Sequence, residues 1–126
     1  NFFKEIDILS IHTKLSQRTE NFVNLKKISM MKKSSIIINT SRGPILNEKD
    51  LIYCLENKKI SGAGLDVYDI EPLPHNHPFI KLSKSSNLVL TPHIGYVSEE
   101  TYKKFHNGYV IAIDAFIKNK PINILN

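Results

Sequence analysis

Short apolar runs alternate with longer segments of mixed polarity along this chain. Four runs rich in aliphatic or β-branched residues have the length of β-strands, and they cover residues 6–11, 36–38, 63–67 and 88–90. Several runs are apolar at every position, which predicts strands that are covered on both faces. Between Asn47 and Lys59 the apolar residues recur at helical spacing. The pattern therefore predicts an α/β fold with alternating strands and helices, a parallel sheet and right-handed crossovers.

Two positions have the chemistry of a helix N-cap. Asn47 precedes the first predicted helix, and Ser98 precedes Glu99 and Glu100, whose charges favour a helix N-terminus. After Ser98 the sequence predicts a helix of about five turns that ends before Pro121. Its apolar face consists of Tyr102, Phe105, Tyr109, Ile113, Phe116 and Ile117.

The composition is that of a single compact domain. A chain of 126 residues with 41% hydrophobic content can bury a core without disulfides or a structural metal. Cys54 is the single cysteine, which excludes an internal disulfide and favours a reducing compartment, so we predict a cytoplasmic location. The first residues show neither an initiator Met nor a signal-peptide pattern, and no window is apolar enough for a membrane helix. We therefore expect a soluble piece of a longer protein.

The net charge of +5 raises the question of a nucleic-acid or membrane partner. The lysines argue against both, because they occur in pairs near the ends of predicted helices, where they complement the helix dipole or face solvent. These pairs are Lys26 and Lys27, Lys32 and Lys33, Lys58 and Lys59, and Lys103 and Lys104. The chain has no basic stripe with interleaved aromatic residues, so we predict no nucleic-acid partner and no membrane partner.

Three residues with charged or ionisable side chains follow three successive predicted strands. Arg42 comes after the second strand, Glu71 after the third and His93 after the fourth. Because ligands of open parallel sheets bind at the carboxyl ends of the strands, one crevice could receive all three side chains. Glu71 also lies in residues 68–87, the longest segment without a regular period, which predicts a functional loop.

The three residue types suit one reaction. The guanidinium group of Arg42 matches a carboxylate, and a histidine beside a carboxylate can hold a proton and deliver it to a developing alkoxide. This set favours reduction of a 2-keto acid, which requires a hydride donor that no side chain can supply, so we predict a nicotinamide cofactor. By position alone, Arg42 could equally be a surface residue, Glu71 an ordinary loop acid and His93 a turn residue.

Other motifs have structural explanations. The Gly-Ala-Gly sequence at residues 62–64 opens a strand and lacks the third glycine of a dinucleotide fingerprint. Asn39 begins a glycosylation sequon, but it lies at a predicted buried strand end. We expect His75 and His77 to be exposed loop residues, because no further ligands accompany them, and we predict no metal site. Cys54 lies on the apolar side of its helix and is expected in the core.

Three stretches of the sequence resemble the D-isomer-specific 2-hydroxyacid dehydrogenase family. They are I-N-T-S-R-G-P-I-L-N-E at residues 38–48, G-A-G-L-D-V-Y-D-I-E-P-L-P at 62–74, and L-T-P-H-I-G-Y-V at 90–97. The resemblance extends over nearly the whole chain. It implies part of a doubly wound parallel-sheet, Rossmann-like NAD-binding domain. It also implies transfer of a hydride between NAD(P)H and a small 2-keto or D-2-hydroxy acid, with NAD as cofactor or NADP as an alternative, in a homodimeric parent enzyme.

The resemblance also implies roles for individual residues. Arg42 would bind the carboxylate and carbonyl of the substrate, His93 would be the acid-base group, and Glu71 would be its partner. Asp66 would lie near the nicotinamide carboxamide. The residues expected to bind the cofactor are Thr13, Thr40, Ser41, Arg42, Asp66, His93, Gly95 and Tyr96.

The chain departs from the family pattern in two ways. Lys14 stands where the family usually has Pro, a change that leaves the backbone path intact. A glycine-rich phosphate-binding turn, an acidic ribose-binding residue and a substrate domain are expected upstream of Asn1. We therefore expect residues 1–120 to form a partial dinucleotide-binding domain and residues 121–126 to return towards the substrate domain. The isolated fragment is expected to be inactive.

Two other functions fit the same residues less closely. An NAD-sensing binding protein of this fold, which regulates a partner and turns over little substrate, would keep all three side chains. Formate oxidation on the same scaffold pairs His with Gln, so Glu71 argues against it. The substrate side chain and the choice of NAD over NADP depend on residues that this chain does not include.

Overall fold

A computed structural model describes residues 2–125, in two compact units that meet at residues 95 and 96 and are described separately. The first unit contains a parallel four-stranded sheet in the order β1-β2-β3-β4. The strands are β1 (Ile8–Ile11), β2 (Ile36–Asn39), β3 (Gly62–Leu65) and β4 (Leu88–Leu90). The four strands and their parallel arrangement confirm the α/β fold predicted from the sequence.

The carboxyl ends of the four strands are in register. Ile11 pairs with Asn39, Asn39 with Leu65, and Leu65 with Leu90. The segments that follow β2, β3 and β4 therefore leave the sheet along one edge. This edge is where the sequence places Arg42, Glu71 and His93.

Four helices belong to the first unit, and one face of the sheet carries its hydrophobic core. The helices are α1 (Phe2–Glu5), α2 (Leu25–Ile28), α3 (Glu48–Glu56) and α4 (Pro78–Leu82). Leu9 and Ile37 belong to this core, whereas Ile8 and Val89, which point to the other face, are 59% and 61% exposed. The prediction of strands covered on both faces is therefore wrong for this chain. Right-handed crossovers that all step in one direction put their helices on the same face.

Helix α3 begins and packs as the sequence predicts. The side chain of Asn47 accepts a hydrogen bond from the Asp50 N–H at 3.0 Å, which satisfies one of the unpaired donors of the first turn. Leu51, Cys54 and Leu55 are buried. Burial raises the pKa of the Cys54 thiol, so this cysteine is an unreactive core residue, as expected.

The segment 68–87 is not wholly irregular, because it contains α4. His77 caps this helix, and its side chain accepts a hydrogen bond from the Phe79 N–H. Phe79 and Leu82 are buried in the core. The helix is five residues long, too short for a hydrophobic period to indicate it.

The second unit consists mainly of α5 (Glu99–Ile117). Ser98 caps it by accepting a hydrogen bond from the Thr101 N–H at 3.1 Å, which confirms the predicted N-cap. The helix has 19 residues, and none of them is buried. Across residues 2–125, no helix combines the length and apolarity needed to cross a bilayer.

Candidate active site

The turn after β2 is held in shape by Asn39. This side chain is only 1% exposed, and its two polar atoms bond to the backbone that follows. Oδ1 accepts from the Ser41 N–H at 3.1 Å, and Nδ2 donates to the Arg42 carbonyl at 3.0 Å. The arginine side chain is exposed at the sheet edge, and Nη1 donates to the Ser41 carbonyl at 2.6 Å. Asn39 therefore fixes the backbone from which the Arg42 guanidinium extends.

Gly43 allows the segment that follows β2 to approach the segment that follows β3 closely. A Cβ atom at this position would overlap the carbonyl group of Tyr68 and would lie 2.6 Å from the Asp69 nitrogen. Only glycine permits this contact without a backbone shift. The residue after Arg42 is thus packed directly against the segment that leads to Glu71.

Tyr68 connects the segments after β3 and β4. Its hydroxyl lies within hydrogen-bond distance of the Leu65 carbonyl, at 3.1 Å, and of the Thr91 carbonyl, at 2.9 Å. The ring is buried, and burial, followed by the negative charge of Asp66, raises the pKa of the hydroxyl. Tyr68 is therefore a neutral hydrogen-bond donor that ties the two segments together.

Asp66 holds the segment that carries His93. Its carboxylate, 4% exposed, accepts hydrogen bonds from the Thr91 hydroxyl, the Ile94 N–H at 2.9 Å and the Gly95 N–H at 2.7 Å. Burial alone would raise the pKa of Asp66, but these three hydrogen bonds and the nearby His93 lower it below the usual value. Asp66 is therefore ionised at neutral pH, and its carboxylate fixes the position of residues 91–95.

The backbone of His93 adopts a left-handed conformation with φ of 57°. Such a conformation is uncommon for a residue with a side chain, and it persists where neighbouring contacts enforce it. The hydrogen bonds that Asp66 accepts on both sides of His93 provide this enforcement.

His93 and Glu71 form a close hydrogen-bonded pair. The Nδ1 atom of His93 lies 2.6 Å from Oε2 of Glu71, and Oε1 of Glu71 accepts from the Tyr68 N–H at 3.0 Å. Burial would raise the pKa of Glu71, but the hydrogen bonds from His93 and Tyr68 and the positive charges of His93 and Arg42 lower it. Arg42 contributes the last of these causes, from the segment that leaves β2 at the same edge of the sheet.

Two cavities lie on this edge. One of about 530 Å³ is lined by Tyr68, Glu71 and His93 together with apolar residues such as Leu73 and Ile80. A second, of about 350 Å³, is lined by residues 12–15 after β1 and by Ser41 and Arg42 after β2. The first cavity is lined by the His93–Glu71 pair and by apolar side chains. The second is lined by hydroxyl and cationic side chains.

Besides Arg42 and His93, the six other residues predicted to bind the cofactor fall into three groups. The Ser41 hydroxyl donates to the Thr13 carbonyl at 2.6 Å, and Thr40 is exposed beside them, so these residues share the edge of β1 and β2. Asp66 and Gly95 contact each other at the base of the His93 segment. Tyr96 belongs to the second unit. Their roles towards a cofactor stay predictions.

Sequence reasoning missed two features of the site. The sequence marks Asn39 only as the start of a sequon, although asparagine side chains commonly shape turns by bonding to the backbone two residues on. His77 was expected to be exposed, yet its side chain is 20% exposed and lies 3.2 Å from Glu48. Glu48, at the start of α3, is the partner of His77 in this contact. The two residues are 29 positions apart, so no local sequence pattern indicates the contact.

Among residues 2–125, His, Cys, Asp and Glu side chains form no group of three that could hold a metal ion.

The chain is similar to known proteins over most of its length. Residues 1–95 match the model of the D-isomer specific 2-hydroxyacid dehydrogenase, NAD binding domain. The chain is 36% identical over 120 residues to a hydroxypyruvate reductase of Blautia hydrogenotrophica, covering 95% of this chain and 36% of that protein. It is 42% identical over 98 residues to a glyoxylate reductase of Thermofilum pendens, covering 78% of this chain and 28% of that protein.

A solved structure shows the same fold. The NAD-complexed D-isomer specific 2-hydroxyacid dehydrogenase of Lactobacillus delbrueckii ssp. bulgaricus superposes with a TM-score of 0.80 and 31% identity, over 98% of this chain and 41% of that chain. The chain thus spans between about a quarter and two fifths of the length of these three relatives. The family match over residues 1–95 shows that the chain belongs to the D-isomer specific 2-hydroxyacid dehydrogenase family, in its NAD-binding domain.

Proposed function

We propose that this chain is part of an NAD(P)-dependent oxidoreductase that interconverts a small 2-keto acid and the corresponding D-2-hydroxy acid. The observation that carries the proposal is the 2.6 Å contact between His93 and Glu71, with the charge of Arg42 acting on the same carboxyl. An acid-base pair beside a cation is the set of groups that reduction of a 2-keto acid requires.

In this reaction Arg42 binds the substrate carboxylate and polarises the adjacent carbonyl. Its planar guanidinium offers paired N–H donors that match a carboxylate and fix the orientation of the substrate. The exposed position of Arg42 at the sheet edge suits a ligand that arrives from solvent.

His93 exchanges the proton with the substrate oxygen. Because Nδ1 faces Glu71, the remaining ring nitrogen Nε2 is the atom that gives its proton to the oxygen during reduction and takes it back during oxidation. Glu71 stays ionised and orients the imidazole through its contact with Nδ1.

A nicotinamide coenzyme would supply the hydride in reduction and accept it in oxidation. The donor set fits such a group, since hydroxyl and cationic side chains line the cavity at the carboxyl ends of β1 and β2. The residues that would hold the coenzyme are Thr13, Thr40, Ser41, Arg42, Asp66, His93, Gly95 and Tyr96. Relatives support both coenzymes, because solved structures contain NAD in one case and NADPH in another.

The test is reduction of 2-keto acids by the full-length protein, followed by the loss of NADH absorbance. Glyoxylate, hydroxypyruvate, pyruvate and phenylpyruvate should separate small from bulky substrates. Arg42→Lys should lower kcat/KM by about 10- to 100-fold, because it removes a bidentate hydrogen bond to a charged group. Arg18→Lys is the matched control, since Arg18 is the chain's other arginine and is exposed.

Two results would contradict the proposal. Equal kcat/KM values for Arg42→Lys and Arg18→Lys would remove Arg42 from the substrate site. Tight NADH binding without turnover of any 2-keto acid would favour the NAD-sensing regulatory protein instead.

The resemblance also supports an assembly for the parent protein. Residues 1–120 would form part of the dinucleotide-binding domain, and residues 121–126 would return towards a substrate domain. The parent would be a cytoplasmic homodimer. Sedimentation of the full-length protein tests its oligomeric state.

A further inference from the structure

A second histidine–carboxylate pair lies outside the set of residues assigned to the reaction. Nε2 of His77 is 3.2 Å from Oε2 of Glu48, and their side chains are 20% and 13% exposed. Glu48 is the first residue of α3, and His77 is the N-cap of α4. The pair therefore links the starts of two helices that flank the site.

The contacts of His77 define which ring nitrogen carries the proton. Nδ1 accepts a hydrogen bond from the Phe79 N–H at 3.3 Å, so Nδ1 carries no hydrogen. The ring proton therefore lies on Nε2. Nε2 therefore donates to the Glu48 carboxylate, in a charge-assisted hydrogen bond. The ring also packs on Phe79, with centroids 4.8 Å apart, and Phe79 is fully buried. The imidazole is thus held on three sides.

The second oxygen of Glu48 bonds to residue 69, at the other end of the segment 69–77. Oε1 accepts from the Asp69 N–H at 2.9 Å. One carboxylate therefore bonds to residue 69 and to residue 77, and Glu71 lies on the segment between them. Burial, followed by the nearby charge of Glu48, raises the pKa of Asp69, which agrees with the closeness of Glu48 to this segment.

His93 is held by different contacts. Asp66 accepts hydrogen bonds from the backbone of Ile94 and Gly95, and none of these involves Glu48 or His77. The Tyr68 N–H also binds Glu71, but Glu48 holds residues 69 and 77 on either side of it. Release of the Glu48 contacts would therefore displace the backbone of Glu71 while His93 keeps its place. A displacement of about 1 Å in a catalytic group is enough to reduce turnover substantially.

We propose that Glu48 and His77 are positioning residues that fix the segment 69–77 so that Glu71 meets His93. This inference rests on the proposed function for its effect on turnover. The two residues act by holding both ends of the segment that carries the partner of the acid-base group.

The experiment compares substitutions at the two ends of α3 in the full-length protein. Glu48→Ala should lower kcat with a 2-keto acid about tenfold, with a smaller change in KM for NADH, because one partner of the His–Glu pair is misplaced. Glu48→Gln retains one carbonyl acceptor and should give an intermediate loss. Glu56→Ala is the control, since Glu56 is the last residue of the same helix and is exposed.

A second variant separates positioning from helix capping. His77→Asn keeps an oxygen that can cap α4 at the Phe79 N–H, but the shorter side chain does not reach Glu48. It should fold with a melting temperature near that of the unmodified protein and still lose turnover several-fold. Full turnover in His77→Asn would overturn the role of His77.

A readout without turnover distinguishes this inference from the proposed function. The imidazole ¹⁵N resonance of His93 Nδ1 reports its hydrogen bond to Glu71, whether or not the protein reduces 2-keto acids. Glu48→Ala and His77→Asn should shift this resonance, whereas Glu56→Ala should not. An unchanged resonance in Glu48→Ala and His77→Asn would overturn the inference even if the protein is an active reductase. A shifted resonance in a protein without reductase activity would support the positioning role and refute only the proposed function.

Discussion

The chain contains the same chemical pair, histidine with glutamate, in two environments. The His93–Glu71 pair is short, at 2.6 Å, and its side chains are 37% and 35% exposed beside a cavity of about 530 Å³. The His77–Glu48 pair is longer, at 3.2 Å, and its side chains are 20% and 13% exposed. In the first pair the carboxylate bonds to one backbone N–H of its own segment, whereas in the second it bonds to a segment 21 residues away.

For the proposed reaction, this difference is the one expected between a pair that exchanges a proton and a pair that holds a segment. A group that exchanges a proton with a ligand needs access to that ligand and a partner that stabilises its charged form. A group that fixes a segment needs several simultaneous bonds and little contact with solvent. Identical residue types therefore give no information on role until their contacts are known.

The largest expected effect is the loss of turnover when the exposed pair loses its histidine. His93→Gln in the full-length protein should reduce kcat/KM with a 2-keto acid by at least about 100-fold, because the amide of glutamine cannot exchange the proton. His77→Asn should reduce it only several-fold, since it acts through the position of Glu71. Initial rates of NADH oxidation measure both effects, and NADH fluorescence checks that coenzyme binding survives. Equal losses of kcat/KM for the two substitutions would contradict the different roles assigned to the two pairs.

Much of this arrangement could be predicted from the sequence. The strand runs, the N-caps at Asn47 and Ser98, and the placement of Arg42, Glu71 and His93 after successive strands all depend on short-range patterns. The aligned strand ends then bring the three residues to one edge. Local periodicity and a parallel sheet are sufficient for this part of the prediction.

The second pair could not be predicted from such patterns. Its bond joins residues 29 positions apart, and His77 caps a helix of only five residues. The exposed second face of the sheet was missed for a different reason. Runs that are apolar at every position indicate burial on both faces, but Ile8 and Val89 stay exposed on the face opposite the core.

A smaller effect is expected where both pairs depend on one close backbone contact. Gly43→Ala should destabilise the full-length protein by about 2–3 kcal/mol, because the new Cβ overlaps the Tyr68 carbonyl and forces the segments apart. Tyr68 and Asp69 supply the N–H groups that bind Glu71 and Glu48, so the substitution should disturb both pairs together. Urea denaturation measures the loss of stability.

Gly108→Ala is the matched control for this glycine substitution. A Cβ at Gly108 meets no atom within 4 Å, and the residue lies inside α5. Alanine is a better helix former than glycine, so this change should stabilise the protein by about 0.5–1 kcal/mol. A Gly43→Ala protein as stable as the unmodified one would show that the two segments can separate without cost.

The smallest expected effect is a pH-dependent contribution of Glu71 to stability. Its pKa is lowered in the folded protein, where hydrogen bonds from His93 and Tyr68 outweigh burial. A carboxyl group with a lowered pKa stabilises the folded state above its unfolded pKa of about 4.3, and this contribution disappears as the pH falls through the pKa of the folded state. The side chain is 35% exposed, so solvent screening should keep the contribution below about 1 kcal/mol.

Glu71→Gln should therefore be slightly less stable than the unmodified protein at neutral pH, and the difference should vanish in acid. Urea unfolding between about pH 3 and pH 7 measures it, with Glu56→Gln as the control for loss of an exposed carboxylate. A stability difference that grows as the pH falls would have the wrong sign, since protonation removes the charge that His93 and Tyr68 stabilise. That outcome would mean that the contacts of Glu71 favour its neutral form, and the exposed pair would then lack the ionised partner that distinguishes it as the reactive one.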